Sequence, residues 1–422
     1  MTTKMPLFEG LGTAGEKTAV ILDIGAAYTK IGFAGESSPR SIIPSEIKRS
    51  RTEKIDKVDI FAVDSEELYA ILIDFLHHIY FRHLLVNPRD RRVVICESVL
   101  CPTLFRETLA QVLFRHYEVP SILFAPSHLV TLFTLGINSA LVMDAGYTET
   151  LVLPVYEGTP IIKGWQALPL AAKAVHSNLE ALLLENGTVT TQSAGHRPLS
   201  SIMSNVPPHI LEDIKVRTCF VPELAKAKMI YESQMHGDSN KRPTPPPSVE
   251  YPLEGDKILH IDGKIRETSA EVLFDLDNDE QSVATLILDS ILKCPLDMRK
   301  ELASNVVCIG GTSLLPGFRQ RLKAEILDML NRPKYKEELP LTTIKFHNPP
   351  SVANYTAWFG GAIFGALEIL AHRSVSRDAF LKHGRVPDWS SVDDLSQESE
   401  VIPKEKTTLP LSSLTRQLAK EK

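Results

Sequence analysis

The chain predicts an α/β fold in two lobes. Two copies of one short pattern predict it, together with strand hairpins that alternate with amphipathic helices. The first copy is Val20-Ile21-Leu22-Asp23-Ile24-Gly25, continued by Tyr28-Thr29-Lys30-Ile31-Gly32-Phe33-Ala34-Gly35. The second is Leu141-Val142-Met143-Asp144-Ala145-Gly146, continued by Leu151-Val152-Leu153-Pro154-Val155-Tyr156-Glu157-Gly158. Each reads as an apolar strand, an Asp-x-Gly bend and a second strand. Glycine at the bend lets backbone N–H groups approach a phosphate, and the Asp can hold a hydrated divalent cation. Two copies facing each other would clamp a nucleotide's phosphates.

The elements follow in order. Strands are expected at 18–24, 28–34 and 40–43. Asp64 to Glu67 has the form of a capping box opening a helix to about Leu85, with Leu68, Ile71, Leu72, Phe75, Leu76, Ile79 and Tyr80 on one face. A strand at 91–97, a helix at 102–117, a strand at 121–125 and a helix at 127–135 lead to the second Asp-x-Gly strand at 140–145. Further helices are expected at 171–185, 208–217, 281–293, 298–304 and 316–330. Arg242-Pro243-Thr244-Pro245-Pro246-Pro247 breaks any helix and reads as an exposed, extended spacer. Val306 to Thr312 reads as a buried strand entering a Gly-Gly turn, and Trp358 to Leu367 as a closely packed apolar helix. Past Ser374 the chain turns polar, with an ordered start and a frayed end expected. Gly10 to Gly15 satisfies G-x-G-x-x-G, but no strand precedes it and a strand follows, so residues 1–16 read as a flexible arm.

At 422 residues the chain is long enough for two core-bearing halves at about 100–200 residues per domain. Its 43% hydrophobic and 23% charged content is ordinary for a globular protein. A net charge of -6 gives no support to nucleic-acid binding. No apolar run reaches the roughly 18 residues of a membrane span, and the first fifteen residues lack the pattern of a signal peptide. The cysteines Cys96, Cys101, Cys219, Cys294 and Cys308 are scattered, with no Cys-x-x-Cys, and read as reduced, mostly buried thiols. A cytosolic location is the expectation, which the family resemblance given below narrows to the cytoplasm and cytoskeleton.

Several strings together resemble the actin family: Gly32-Phe33-Ala34-Gly35 with Pro39-Arg40 and Ile43-Pro44-Ser45; Pro154-Val155-Tyr156-Glu157-Gly158; Ala167-Leu168-Pro169; Gly310-Gly311-Thr312 with Pro316-Gly317; and Trp358-Phe359-Gly360-Gly361. The resemblance spans roughly residues 17–370. It implies an actin-like ATPase fold, two lobes of mixed sheets flanked by helices around a nucleotide cleft, here with a reduced outer subdomain. Phe81 to Arg92, the Tyr251-Pro252-Leu253 and Gly255-Asp256-Lys257 strings, and the polar extension are most similar to the divergent branch of the family at the pointed end of dynactin. The organisation expected is an arm at 1–16, a first lobe at 17–150, a second lobe with the closing helix of the first at 151–373, and an extension at 374–422.

The resemblance also implies a site. Asp23, Gly25, Lys30, Asp144, Gly146, Lys215, Gly310, Gly311 and Thr312 match nucleotide-binding positions, with Asp23 and Asp144 reaching Mg through water. Other positions depart from the family pattern. Ala26-Ala27 stand where actin has Ser-Gly. Asp144-Ala145-Gly146-Tyr147-Thr148 replaces Asp-Ser-Gly-Asp-Gly. Ser127 and Leu151 replace the Gln and His that handle the attacking water, and Val216, Ala172 and Asn354 replace a Glu, a Gly and a Lys around the base and ribose. Positioning is most of what a protein contributes to phosphoryl transfer, so no enzymatic turnover is expected. ATP or ADP with Mg would be held structurally; alternatively, the retained Asp and Gly residues only shape hairpins.

The 45–64 segment is much shorter than in actin and is expected to lack the outer subdomain's sheet and its donor loop. A head-to-tail polymer needs two complementary surfaces, so losing one stops growth in that direction. The opposite surface, near Tyr156, Ala167 to Leu170 and the helix at 358–367, keeps actin-like strings. These features imply a non-polymerising subunit that caps the pointed end of dynactin's actin-like filament. Its partners would be filament and other pointed-end subunits and, indirectly, dynein, with no nucleic acid, membrane insertion or homo-polymer. Two other readings remain: an active nucleotide-switch ATPase of the heat-shock chaperone or sugar kinase type, and a nuclear actin-related subunit of a chromatin complex.

Overall fold

The computed structural model describes residues 17–387 apart from 52–53, 192–194, 238–241 and 254. The arm at 1–16 and the polar extension past 387 lie outside the described residues. Two compact units emerge. One contains residues up to 139, 155–162 and the chain from 348; the other contains 140–154 and 163–347.

The first unit is built on a six-stranded sheet in the order Val375–Ser376, Ser121–Pro126, Val93–Glu97, Val20–Ile24, Tyr28–Phe33, Ser41–Pro44. Val20–Ile24 lies at its centre, antiparallel to Tyr28–Phe33 and parallel to Val93–Glu97. Both faces of this strand are covered, which explains its unbroken apolar run. Val20 and Leu22 join one core with Leu72, Phe75, Leu113 and Phe114. Ile21 points the other way, into a core with Cys96, Val130, Trp358 and Ala362.

Helix Ser65–His78 buries Leu68, Ile71, Leu72, Phe75 and Leu76, the face its periodicity marks, and continues as a π-helical turn over Ile79–Leu84. Asp64 stands at its N-cap position, but its side chain makes no capping bond, so the expected capping box does not form. The chain also does not lose all sheet after Ser45. Glu46–Arg51 and Lys54–Asp59 pair as an antiparallel hairpin, correcting the expectation of a sheetless segment. The carboxy-terminal stretch docks on the same unit: Phe380 stacks on Phe114 with centroids 4.7 Å apart, and Arg377 Nε donates to the Phe114 carbonyl at 3.0 Å.

The apolar helix is Thr356–Gly365. Trp358 is fully buried and donates from Nε1 to the Ile21 carbonyl at 3.2 Å. The helix presses directly against the backbone of Ser127–Phe133: a Cβ at Gly360 would lie 2.0 Å from the Val130 carbonyl oxygen. Most of this helix is therefore spent inside the unit, and only Phe359, Ile363 and Phe364 are half-exposed. Its apolar character reports the close packing that the sequence suggests.

In the second unit, Ala140–Ala145 lies between Thr150–Tyr156 and Val306–Ile309, and Gln166–Leu168 pairs with Thr150–Tyr156. A smaller four-stranded sheet has the order Gly195–Pro198, Thr188–Thr191, Ile258–Ile261, Val249–Pro252. Leu179, Leu183, Val189, Ile214, Leu259 and Ile261 form its core with helices Ala172–Asn186 and Pro208–Thr218. Helix Val283–Lys293 opens with a formed capping box of Ser282 and Thr285. Helix Leu224–Met235 was not legible in the sequence, because its buried positions are only Ala227, Ile230 and Ser233. The proline segment is extended, as expected, but pinned and half-buried. Arg266 Nη1 donates to the Pro247 carbonyl at 2.6 Å, and a Cβ at Gly263 would fall 1.7 Å from the Pro246 carbonyl oxygen.

The five cysteines are free, four of them buried and Cys101 half-buried. Among the described residues no helix is long and apolar enough to cross a membrane.

Gly360→Ala places a methyl group against a backbone carbonyl that a neighbouring helix holds in place. It is expected to destabilise the protein by roughly 1–3 kcal/mol or more, read as a lower denaturation midpoint in urea.

Candidate functional site: two Asp-x-Gly hairpins

In the first unit the bend after Val20–Ile24 is closed by the Gly25 N–H donating to the Tyr28 carbonyl at 3.2 Å. Antiparallel register sets Asp23 opposite Lys30, and their side chains pair at 3.2 Å, both mostly buried. Ser45 supports the bend from behind. Its hydroxyl donates to the Gly25 carbonyl at 2.6 Å and lies 2.8 Å from the Thr29 hydroxyl. A Cβ at Gly25 would meet the Tyr28 carbonyl oxygen at 3.0 Å. Asp23, Gly25 and Lys30 are thus brought together, and the bend between them carries only the Ala26 and Ala27 methyl groups.

In the second unit, Gly146 closes the equivalent bend by donating to the Glu149 carbonyl at 3.0 Å. The Thr312 hydroxyl donates to the Gly146 carbonyl at 2.6 Å from across the unit, and Thr312 itself is buried. Parallel pairing of Val306–Ile309 with Ala140–Ala145 delivers the Gly310-Gly311-Thr312 turn to this point. Gly310 has φ +89, and a Cβ there would sit 2.2 Å from the Ala145 carbonyl oxygen and 2.5 Å from Asp144 Oδ1. No side chain fits, so a bare glycine backbone cradles the Asp144 carboxylate. Beside it, burial and the Asp144 charge raise the Glu149 carboxyl above its ordinary range.

A polar chain leads from this hairpin to Lys215. The Tyr147 ring meets His176 edge-on at 5.7 Å, His176 Nε2 lies 2.9 Å from Glu212 Oε2, and Lys215 Nζ donates to the same oxygen at 2.6 Å. Lys215 and His176 are buried. Burial alone would push the Glu212 carboxyl up. The hydrogen bond and charge from His176 and Lys215 outweigh it and hold Glu212 at about 2. Asp144, Gly146, Gly310, Gly311, Thr312 and Lys215 therefore belong to one constellation within this unit. The sequence reading missed Glu149, His176 and Glu212. The Glu212–Lys215 spacing on one helix was a usable signal, whereas His176 offered none.

Two of the substituted positions are occupied structurally. Ser127 is buried with its hydroxyl 3.1 Å from His128 Nδ1, and Leu151 is buried in its strand opposite Ala167. Leu151 has no polar group, and the Ser127 hydroxyl is engaged by His128. Val216 is 63% exposed and offers no hydrogen bond to a ribose.

This fold and these paired hairpins define a member of the actin family, and the chain belongs to it: the family profile named Actin matches residues 14–387. Among characterised relatives the chain is similar to Actin-related protein 10 of Dictyostelium discoideum, 27% identical over 91% of this chain and 92% of that protein. It is also similar to putative actin-29 of the same organism, 26% identical over 87% of this chain and 95% of that protein.

Glu212 gives a pH prediction with a definite sign. Its carboxyl is depressed in the folded state, so its contribution is complete above the unfolded value of about 4.3 and is lost as pH falls from there towards 2. That contribution is on the order of 2–3 kcal/mol. Glu212→Gln should reduce stability at neutral pH and flatten its decline between about pH 4.5 and 2, measured by denaturant unfolding across that range.

Proposed function

We propose that this protein is a non-enzymatic actin-related subunit that ends an actin-like filament at its pointed end, in dynactin, where it anchors further pointed-end subunits. One observation carries the reading. The Asp-x-Gly framework is kept intact, while the Ser-Gly pair of the family pattern is Ala26-Ala27, its second-bend Ser and Asp are Ala145 and Tyr147, and the Gln and His it uses on the attacking water are buried Ser127 and buried Leu151. A fold maintained in such detail without its chemistry serves assembly.

The residues present fit a nucleotide in part. In the first unit the Asp23–Lys30 pair with Gly25, and in the second the glycine-cradled Asp144 with Gly146 and the Gly310-Gly311-Thr312 turn, each have the chemistry to hold phosphate or water-bridged Mg²⁺. Lys215 is already committed to Glu212. Bound ATP or ADP would supply charge and hydrogen-bond partners that stabilise the fold, not a reaction. Phosphate release from ATP should run far below actin's rate, because each lost positioning group typically costs ~10- to 1000-fold. Ser127→Gln alone should rescue little. ATP with Mg²⁺ should raise the melting temperature of the wild-type protein but not of Asp144→Ala. Actin-like turnover, or the absence of any thermal shift and of nucleotide in denatured protein, would count against this part of the reading.

For assembly, the retained strings near Tyr156 and Ala167 to Leu170 frame Lys163 and Trp165, and Trp165 is 37% exposed. An exposed aromatic beside a cation is a typical anchor of a protein–protein contact. Lys163→Glu combined with Trp165→Ala should detach the folded protein from the filament, whereas changes at Lys48 or Lys57 in the small hairpin should leave attachment intact. Electron microscopy of dynactin should place one copy at the pointed end. Copies along the filament or at the barbed end would overturn the proposal.

A further inference from the structure

The four-stranded sheet of the second unit turns two imidazoles to solvent. Its register sets Thr190 opposite His196 on one side and Ile258 on the other, and sets His260 opposite Thr188 and Glu250. Side chains alternate along a strand, so Thr190, His196, His260 and Glu250 share one face. Val189, Leu259 and Ile261 take the opposite face, inside the core. That burial fixes the register and keeps the polar set outward. His196 and Glu250 are exposed, and the His260 side chain is 27% exposed, so the face is open to an ion from solvent.

Two ring nitrogens converge on one point. His196 Nδ1 lies 2.9 Å and His260 Nε2 lies 2.6 Å from Thr190 Oγ1. The two rings are inclined at 52° with centroids 5.3 Å apart. Imidazoles that share one ion, each through a nitrogen at about 2.0–2.1 Å and at a roughly tetrahedral angle, have centroids about 5 Å apart. The spacing is therefore already that of a chelating pair. A hydroxyl carries one proton, so Thr190 donates to only one of the two nitrogens, and the other ring must donate to Thr190.

The support behind the pair has the same character. Glu250 Oε1 stands 3.7 Å from His260 Nδ1, on the side of the ring away from Thr190. A carboxylate facing the second nitrogen is the common partner of a metal-binding histidine, because it keeps the proton there and leaves the first nitrogen to coordinate. A second pair of rings, His78 and His83 in the first unit, has centroids 4.9 Å apart, but His83 Nδ1 lies 3.2 Å from Ser41 Oγ and no atom is shared with His78. Close rings alone do not make the arrangement; the common point does.

We infer that His196 Nδ1 and His260 Nε2 form a binding site for a divalent transition-metal ion, Zn²⁺ or more tightly Cu²⁺, with the Thr190 oxygen and water completing the shell and Glu250 supporting His260. Imidazole nitrogen suits these ions, whereas Mg²⁺ and Ca²⁺ take oxygen ligands. On coordination, the ring that donates to Thr190 carries its proton on its other nitrogen instead, and both rings stay neutral. A bound ion ties strand Gly195–Pro198 to strand Ile258–Ile261 across Thr188–Thr191 and stabilises the folded unit by mass action. The site shares no residue with the Asp-x-Gly hairpins and does not rest on the proposed function.

Calorimetric titration of the untagged full chain with Zn²⁺, in excess Mg²⁺ to occupy oxygen sites, tests the inference. The expected result is saturable binding that weakens at least about tenfold in His196→Asn and in His260→Asn and is unchanged in His83→Asn. His196 is exposed on an edge strand, so His196→Asn should keep the metal-free melting temperature of the wild type while losing the rise that Zn²⁺ gives. Electron paramagnetic resonance with one equivalent of Cu²⁺ should show nitrogen couplings from two imidazoles in the wild type and from one in His196→Asn. The inference is overturned if Zn²⁺ does not bind saturably, if binding is indifferent to His196→Asn, or if His83→Asn removes it instead.

Discussion

The bend from Asp144 to Tyr147 is the constraint on which the second unit depends. Its backbone is held from several directions at once. The Gly146 carbonyl accepts from Thr312 Oγ1 and, at 3.4 Å, from the Ala172 N–H, and the Tyr147 carbonyl accepts from the Lys173 N–H at 2.8 Å. The Ala145 carbonyl lies against Gly310 too closely for any Cβ. One short turn thereby fixes the start of the long helix Ala172–Asn186, the end of strand Val306–Ile309 and the Gly-Gly turn. Buried backbone polar groups must be paired, so a change here has no inexpensive local relaxation.

That constraint gives the hairpin a structural reason to persist whatever its phosphate chemistry. The family resemblance assigns Gly310 and Thr312 to a nucleotide site, yet each has a structural duty the fold cannot release. Tyr147, which stands where the family resemblance expects a carboxylate, is absorbed into the same framework through His176. The His176–Glu212–Lys215 cluster then satisfies a half-buried carboxylate with two buried partners. Removing Glu212 would leave the buried Lys215 ammonium without its partner, which is costly whatever the cluster contributes when complete.

The first unit follows a different logic. Its hairpin is supported by Ser45 and by the Asp23–Lys30 pair, while its stability rests on a central strand packed on both faces. The glycines of helix Thr356–Gly365 allow that helix to lie against the backbone of Ser127–Phe133. The apolar run that reads as a closely packed helix in one dimension is spent on that packing. Exposed aromatic character on the segments considered for docking is found at Trp165 instead.

Much of the fold was legible in the sequence, because local patterns encode local structure. Apolar runs marked the central strands, and the heptad-like spacing of Leu68, Ile71, Leu72 and Phe75 marked the long helix and its buried face. The two Asp-x-Gly bends announced themselves, and with them Asp23, Gly25, Asp144 and Gly146. Tertiary structure decided what no local pattern states. It closed helix Leu224–Met235, whose few small buried positions give little periodicity. It left Asp64 without a capping bond, kept a two-stranded hairpin after Ser45, and clamped a proline segment that reads as a free spacer. It joined His176 to Glu212. These outcomes depend on which distant groups arrive at the same place, and side-chain pairing, burial and close backbone approach arise only when separated segments meet.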